Sequence, residues 1–492
     1  MKFICGEDRN QMLLMPERVE DYVADDNPVR VIDTFINGLN LIPLGFSNAE
    51  LKDTGRPPYN PREILKLYVY GYINRIRSSR RLEKETTRNL EVLWLLCKLS
   101  PDHKTISDFR RDNSKALKNV FRCFVKLCVE LGLYGKELAA IDGSKFKAVN
   151  SKECNFNEKK LSDRLARIEA KIQEYLKELE ANDHAEDKAG GEKSAQEITA
   201  ILNDLMARKE QYQGYVQELA QSGQTQKSLT DPDSRLMKGN GKMDVCYNVQ
   251  SAVDSKNKMI VEFEVTNQGN DLNQAQPMAA KVQEMLETKE LAVTADGGYD
   301  SVQDIVACMD SGVSIHVAGT DFDICVPAGE EEKVGGTVTT HKNGRCVYFS
   351  ERNIVLCPMG QVLHPGFYSK SRKSGVYSNH EACQRCTCKC TKESRGKRHD
   401  VSMTEDRFIK EYDEKNLKVK QVRIKADKSI IRQRKSIVEH PFGTIKRGMD
   451  AGYCLTKGIH SVAGEFSLAF LAYNIKRAIN ILGCAKLIEK MA

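Results

Sequence analysis

From residue 1 to about 135 the apolar positions recur at helical spacing. Leu65, Leu67, Val69, Tyr72 and Ile73 make an apolar-rich segment that opens after the extended run Arg56-Pro-Pro-Tyr-Asn-Pro61. Pro61 suits a helix start, because its missing N–H would lack a partner there in any case. The segment runs into a basic cluster, Arg75, Arg77, Arg80 and Arg81. A shorter helical pattern ends near Leu99, the turn Ser100-Pro-Asp-His-Lys104 follows, and a further helix presents Phe109, Arg110 and Arg111. Thr105 is the expected N-cap of that helix, with Asp108 three residues on in the manner of a capping box. Helix, short turn and basic helix together outline a helix-turn-helix reader. A helical bundle with a solvated basic face would give the same pattern.

From about 136 the period shortens. Leu138 to Ile141 is an apolar run expected to stop at Asp142-Gly143, and Ser144 to Val149 alternates as a strand does. Tyr247–Val253 and Met259–Val265 predict two strands joined by the polar turn Asp254–Asn257. Helix over Asp271–Glu287, a buried-type strand Leu291–Thr294 ending at Asp296-Gly-Gly-Tyr299, helix over Val302–Met309 and strand over Ser314–Ala318 complete the series. Three strands followed by alternating helix and strand predict an α/β fold, a mixed sheet flanked by helices.

Two inserts interrupt this core, which spans residues 136–450. Over 158–222, Leu161, Leu165, Ile168, Ile172, Tyr175 and Leu179 follow a heptad, and Ile198, Leu202, Leu205, Lys209, Tyr212, Val216 and Leu219 repeat it after the polar linker Ala181–Lys193. This predicts an antiparallel coiled-coil hairpin, serving as a dimer contact or as a DNA-contacting arm. The second insert, 319–403, is strand-like and rich in Gly and Cys. Cys383, Cys386 and Cys390, with Cys357 as a distant companion, could supply the four soft ligands of a structural zinc; free thiols in a reducing compartment are the other reading. Residues 404–450 are basic and helical in pattern, and 451–492 is an apolar helical segment expected to pack on the core.

Composition narrows the class. With 40% hydrophobic and 29% charged residues the 492-residue chain is expected to be globular, which excludes disorder along its whole length. Its longest apolar run, around Phe466–Tyr473, falls short of the roughly 18 residues a membrane helix requires. The N-terminus turns charged too early for a secretory signal, so a cytoplasmic protein with reduced cysteines is expected. The net charge of +7 is modest, but it is unevenly placed. Residues 418–447 hold ten Lys or Arg against Asp427 and Glu439, a local excess of +8 that exceeds the charge of the whole chain. Arg62–Arg81 holds six basic residues and one acid. Such patches fit a phosphate backbone.

Three acids stand where phosphoryl-transfer chemistry could use them. Asp142 and Asp296 each follow an apolar run and precede a glycine, which leaves room for a metal and a phosphate; Asp-Gly is equally a common turn pair. Glu439 lies in Arg432-Gln-Arg-Lys-Ser-Ile-Val-Glu-His-Pro-Phe-Gly-Thr-Ile-Lys446, where Arg432, Lys435, Glu439 and Lys446 would share a helix face. That face is either an ion-pair ladder or a metal ligand flanked by phosphate-holding cations. Pro441 is expected to kink the helix just past Glu439.

Taken together, Ile141-Asp-Gly-Ser-Lys145, Thr230-Asp-Pro-Asp-Ser234 leading to Tyr247-Asn-Val-Gln250, Asp296-Gly-Gly-Tyr299 and Val438-Glu-His-Pro-Phe-Gly-Thr-Ile-Lys446 resemble the DDE transposases of bacterial insertion sequences. The similarity is to the group with a helical N-terminal domain and a Tyr-Arg-Glu-Lys signature around the last acid. It covers nearly the whole chain, with the motifs in order. The resemblance implies a ribonuclease H-like core, a DNA-binding domain over 1–135, and Asp142, Asp296 and Glu439 as ligands of two divalent ions, Mg²⁺ or Mn²⁺. It implies Lys446 as the signature lysine. Two positions depart from the signature: Arg432 stands where it has tyrosine, and Lys435 where it has arginine. Lysine lacks the bidentate fork of arginine. DNA contacts are expected from Arg432, Lys435, Lys446, Arg447, Arg110, Arg111, Arg80 and Arg81.

The implied reaction is in-line attack on DNA phosphodiesters, first by water and then by a freed 3′-hydroxyl, with two DNA ends held by a homodimer. A catalytically inactive DNA-binding descendant, or a hydrolytic nuclease of the same fold, would be the alternatives; retention of all three acids favours the active enzyme.

Overall fold

A computed structural model of the chain describes residues 18–50, 57–183, 195–239, 241–299, 301–317, 337–341, 344–349, 354–356, 361–369, 374–385, 401–404 and 428–491. They form two compact units from interleaved segments. The first comprises the chain up to Gly135, Gly143–Asn270 and Val438–Ala492; the second comprises Lys136–Asp142 and Asp271–Ile437.

The first unit opens with helices Pro28–Asn37, Leu41–Leu44, Pro61–Ile73, Ser79–Arg88, Leu90–Leu95, His103–Asp112 and Ser114–Glu130. Asn27 and Asn60 cap the first and third of these by accepting from the N–H of Val29 and Arg62, and a proline follows each cap. The expected cap at Thr105 is corrected. Asp102 caps that helix, accepting from the N–H of Lys104 and Thr105 at 2.9 Å each. A carboxylate at the true N-cap both accepts these bonds and faces the positive helix end, so it wins over a hydroxyl one turn inside.

Helix Ile459–Leu482 packs against Pro61–Ile73 and Ser114–Glu130. The approach is so close at Gly464 that a Cβ there would lie 2.9 Å from the Ser114 Cα. Phe470 meets Phe263 edge-on at 4.7 Å, and Phe263 in turn meets Phe121 at 5.4 Å. Two ion pairs reach into this core: Arg77 with Glu465 at 3.1 Å, and Arg122 with the fully buried Glu262 at 2.7 Å.

Strand β1, Leu138–Lys147, enters this unit at Gly143. Strands β2, Asn155–Asn157, and β3, Gln226–Ser228, pair antiparallel at the base of two long helices, Glu158–Asp183 and Ala195–Ser222. Ile168, Ile172, Ile198, Leu202 and Leu205 of these helices are buried together, and Lys209 donates to Glu169 at 2.5 Å. Strand β4, Arg235–Gly239, pairs antiparallel with the first part of β5, Lys242–Asp254, and β6, Ile260–Thr266, with the second part. Asn474 serves the start of β6 as a third strand would, accepting from the Ile260 N–H at 2.9 Å and donating to its carbonyl at 2.7 Å. The Thr230-Asp-Pro-Asp-Ser234 motif ties this sheet to the helix start. Asp231 accepts from the Tyr247 hydroxyl at 2.7 Å and the Gly458 N–H at 3.1 Å, and Asp233 accepts from the Ile459 N–H at 2.9 Å.

In the second unit the first part of β1 pairs in parallel with β7, Leu291–Ala295, and β7 in parallel with β8, Val313–Val317. Helices Ala275–Leu286 and Val302–Asp310 connect these strands. Strands β9 to β14, namely Thr337–His341, Gly344–Phe349, Ile354–Leu356, Val362–Ser369, Ser374–Ser378 and Val401–Thr404, form an antiparallel meander in chain order. The parallel and antiparallel pairs together make the chain α/β with a mixed sheet. Of the four candidate zinc ligands, Cys357, Cys386 and Cys390 lie outside the described residues, and for Cys383 only its place in helix His380–Arg385 is described. Residues 418–427 of the basic run also lie outside them. Among the described residues no helix is long and apolar enough to cross a membrane.

Candidate active site

The parallel register of β1 on β7 places the two aspartates. Leu138, Ala139 and Ala140 stand beside Ala292, Val293 and Thr294. Asp142 and Asp296 each lie two residues beyond the last paired positions, Ala140 and Thr294, so both leave the same end of this parallel pair. The expectation that the first apolar run stops at Asp142-Gly143 is corrected: β1 runs without a break to Lys147, so Asp142 is a mid-strand residue. Pairing partners decide this. The local Asp-Gly turn preference is weak against a ladder that continues on both sides.

Asp296 lies just past the end of β7 and is held by its own turn. Its Oδ1 accepts from the Gly298 N–H at 2.8 Å, while its carbonyl accepts from the Tyr299 N–H at 3.1 Å. A Cβ on Gly298 would lie 2.9 Å from Asp296 Oδ1 and 3.5 Å from Asp271 Oδ2. Two carboxylates therefore converge over one glycine, which explains why the Asp-Gly-Gly-Tyr turn carries no side chain there. Asp271 was not among the residues expected from sequence, since a lone Asp ahead of a helix carries no pattern. The loop bearing it is fixed to the loop after Tyr299. Asp304 accepts from the N–H groups of Ala275 and Gln276 at 2.8 Å each, and the Ser301 hydroxyl donates to Asn273 at 2.7 Å.

Tyr299 is fully buried beneath these acids. Burial pushes its hydroxyl well above the ordinary tyrosine range, and the negative charges of Asp271, Asp142 and Asp296 push further the same way, against the opposing charge of Arg434. The phenol stays neutral. A site that gathers this much negative charge is suited to collecting cations.

Arg434, also absent from the expected set, stands 3.5 Å from Asp142 Oδ1, with both side chains about one-fifth exposed, at 18% and 23%. It belongs to helix Lys428–Gly443, whose last residues, from Val438, belong to the first unit. Arg432, Lys435 and Glu439 on that helix are all exposed. The helix continues through Pro441 to Gly443 and then widens into a π-helical turn, Thr444–Gly448. Asp142 and Asp296 thus both belong to the second unit, and Glu439 belongs to the first.

Lys446 leaves the π-turn toward β1. Its ammonium donates to Ser144 Oγ at 2.6 Å and to the Lys145 carbonyl at 3.0 Å, and sits 4.4 Å from the centre of the Phe146 ring. Of the other cations expected to meet DNA, Arg80, Arg81 and Arg447 are exposed. Arg111 is exposed and paired with Asp108 and Asp112. Arg110 is a correction: it is buried, with its guanidinium 5.5 Å from the Tyr68 ring centre, and so is packed into the bundle and not on its surface. An i, i+1 pair cannot share one helix face, and the apolar side of this helix claims the first of the two arginines.

The donors Asp142, Asp296 and Asp271 offer hard carboxylate oxygens, the chemistry Mg²⁺ or Mn²⁺ takes. Among the described residues no three His, Cys, Asp or Glu side chains are close enough together to hold a metal ion.

Two family models match the chain: Transposase domain (DUF772) over residues 17–112, and Transposase DDE domain over residues 356–479. The first covers the helices that precede β1 apart from Ser114–Glu130, and the second covers Glu439, the π-turn and most of helix Ile459–Leu482. Among curated proteins and among solved structures nothing matches.

Proposed function

We infer that this chain, which belongs to the DDE transposases of insertion sequences, cuts DNA at the ends of its own insertion sequence and joins the freed ends to a new site. The observation that carries this reading is the gathering of Asp142, on β1, and Asp296, just past the end of β7, with Asp271 about the buried Tyr299. With Glu439 they are the proposed ligands of two divalent ions. Those ions, when bound, would activate the attacking oxygen and stabilise the leaving one. A ribonuclease H-like core is the fold this reading implies, and the parallel β1–β7–β8 pairs with their connecting helices support it.

The protein's own groups supply position and charge. Arg432, Lys435 and Arg447, exposed on or next to the helix of Glu439, are the proposed holders of DNA phosphates. Lys446, bonded to Ser144 and Lys145, holds β1 two residues beyond Asp142 and thereby fixes the direction of that carboxylate. Tyr299, neutral and buried, is a floor for the acids and not a nucleophile. A dimer bound to two ends is the proposed working form.

The test is incubation of the full-length protein with labelled DNA carrying an insertion-sequence end and Mg²⁺ or Mn²⁺. Wild type is expected to give cleaved and joined products. Asp142→Ala, Asp296→Ala and Glu439→Ala are each expected to reduce them by at least about 10³-fold, the scale of losing a principal electrostatic stabiliser. Products unchanged in all three variants would remove the site assignment.

A further inference from the structure

We propose that the helical core of the first unit contains a site for one small monovalent anion, a halide such as chloride, held by Arg77, Arg110 and Tyr72. The three side chains come from different elements. Tyr72 lies in helix Pro61–Ile73, Arg77 in the turn after it, and Arg110 in helix His103–Asp112. That turn folds back tightly: the Ile76 N–H donates to the Gly71 carbonyl at 2.6 Å, and a Cβ on Gly71 would collide with the Ile76 oxygen. Arg77 is thereby set beside the end of the helix that bears Tyr72. Arg110 closes the group, its Nη1 3.5 Å from the Arg77 carbonyl. All three are buried, with 0% of Tyr72, 4% of Arg77 and 7% of Arg110 exposed.

Each brings a buried polar atom that no hydrogen bond satisfies: the Tyr72 hydroxyl, Arg77 Nη2 and Arg110 Nε. A buried donor left without an acceptor is costly, and a buried charge without a partner more so. Glu465 is already engaged. Its Oε1 accepts from Arg77 Nη1 and the Leu455 N–H, and its Oε2 from the N–H groups of Leu455 and Thr456 and from the Thr456 hydroxyl. The charges that act most on the Tyr72 hydroxyl are those of Glu465, Arg110 and Arg77, one negative and two positive. A surplus positive charge therefore surrounds this hydroxyl. Guanidinium nitrogens donate and never accept, so whatever fills the site has to accept from both arginines. A water molecule would do so, but it brings no charge, and its own two hydrogens would find only the Tyr72 oxygen. A halide accepts from all three donors and cancels the surplus.

The experiment is thermal melting of the full-length protein while chloride replaces gluconate at constant ionic strength, which holds screening fixed. Wild type is expected to gain about 2–4 °C, because an ion that binds only the folded state stabilises it by mass action. Arg110→Met keeps most of the side chain's bulk and removes its charge and donors; it is expected to lose that gain altogether. Tyr72→Phe removes one hydroxyl alone. It is expected to need about three- to ten-fold more chloride for the same gain, the scale of one hydrogen bond, and it decides the matter if Arg110→Met does not fold. No chloride gain in wild type, or equal gains in wild type and the folded variants, overturns the site, the second result placing the ions at the surface. Crystals of the wild type soaked in bromide give a direct check: an anomalous peak between Arg77 and Arg110 supports the site, and density that fits only water there overturns it.

Discussion

Gly298 sets how close two carboxylates can stand. In Gly298→Ala the new methyl would press on Asp296 Oδ1 at 2.9 Å, and the contacted atom is the end of a side chain that can rotate away. The fold should accommodate this at a cost near the surface-substitution range of about 0.5 kcal/mol. The displaced carboxylate should cost strand cleavage about 10²-fold, the scale of a misplacement of roughly 1 Å. Chemical denaturation and a cleavage assay on the same preparation check both halves. At this scale the sequence was partly legible. Asp142 and Asp296 could be picked out because an apolar run ahead of Asp-Gly is a visible pattern. Asp271 and Arg434 could not, because their partners lie far away along the chain and no local spacing marks them. Arg110 was misplaced for the converse reason: two adjacent arginines look alike in sequence, and only the buried ring of Tyr68 distinguishes them.

Helix His103–Asp112 depends on its cap. The backbone N–H of Thr105, followed by the Thr105 hydroxyl, holds the Asp102 carboxyl below its ordinary value of 3.8. A carboxyl lowered in the folded state contributes stability that is present above its unfolded value and lost as pH falls through the lower folded one. Wild type should therefore lose stability relative to Asp102→Ala as pH falls below about 3.8, and the two should keep a constant gap above about pH 5. Melting temperatures of both proteins across pH 2.5–6 would show it; curves that stay parallel throughout would exclude the cap as the source. Most helices and strands were legible from apolar period and from prolines after asparagine. A boundary failed where tertiary pairing overrode a local signal, as in β1 across Gly143.

For the whole molecule the uneven charge matters more than its sum. Exposed Arg80 and Arg81 lie in one basic stretch, and Arg432, Lys435 and Arg447 in another. If each holds a phosphate, binding to DNA should weaken linearly in log–log form with salt, and neutralising one such arginine should flatten the slope by about 0.9. Fluorescence anisotropy of Arg80→Gln, Arg81→Gln and Arg447→Gln across a salt series measures this. Arg110→Gln, by contrast, should leave the slope unchanged and lower stability, because the side chain is internal. Charge patches were readable by counting; which members face outward was not, since that depends on packing.

The ion pair between Arg77 and Glu465 joins residues 388 positions apart. Helix Ile459–Leu482 thus completes a core whose other helices emerge from the ribosome first. Until that last stretch is synthesised, the early helices have a cleft where it belongs, and Arg77 has no carboxylate to face. A polypeptide released before this helix would leave that core open to proteolysis. Order of synthesis thus sets an order of folding: this core closes only once helix Ile459–Leu482 has emerged.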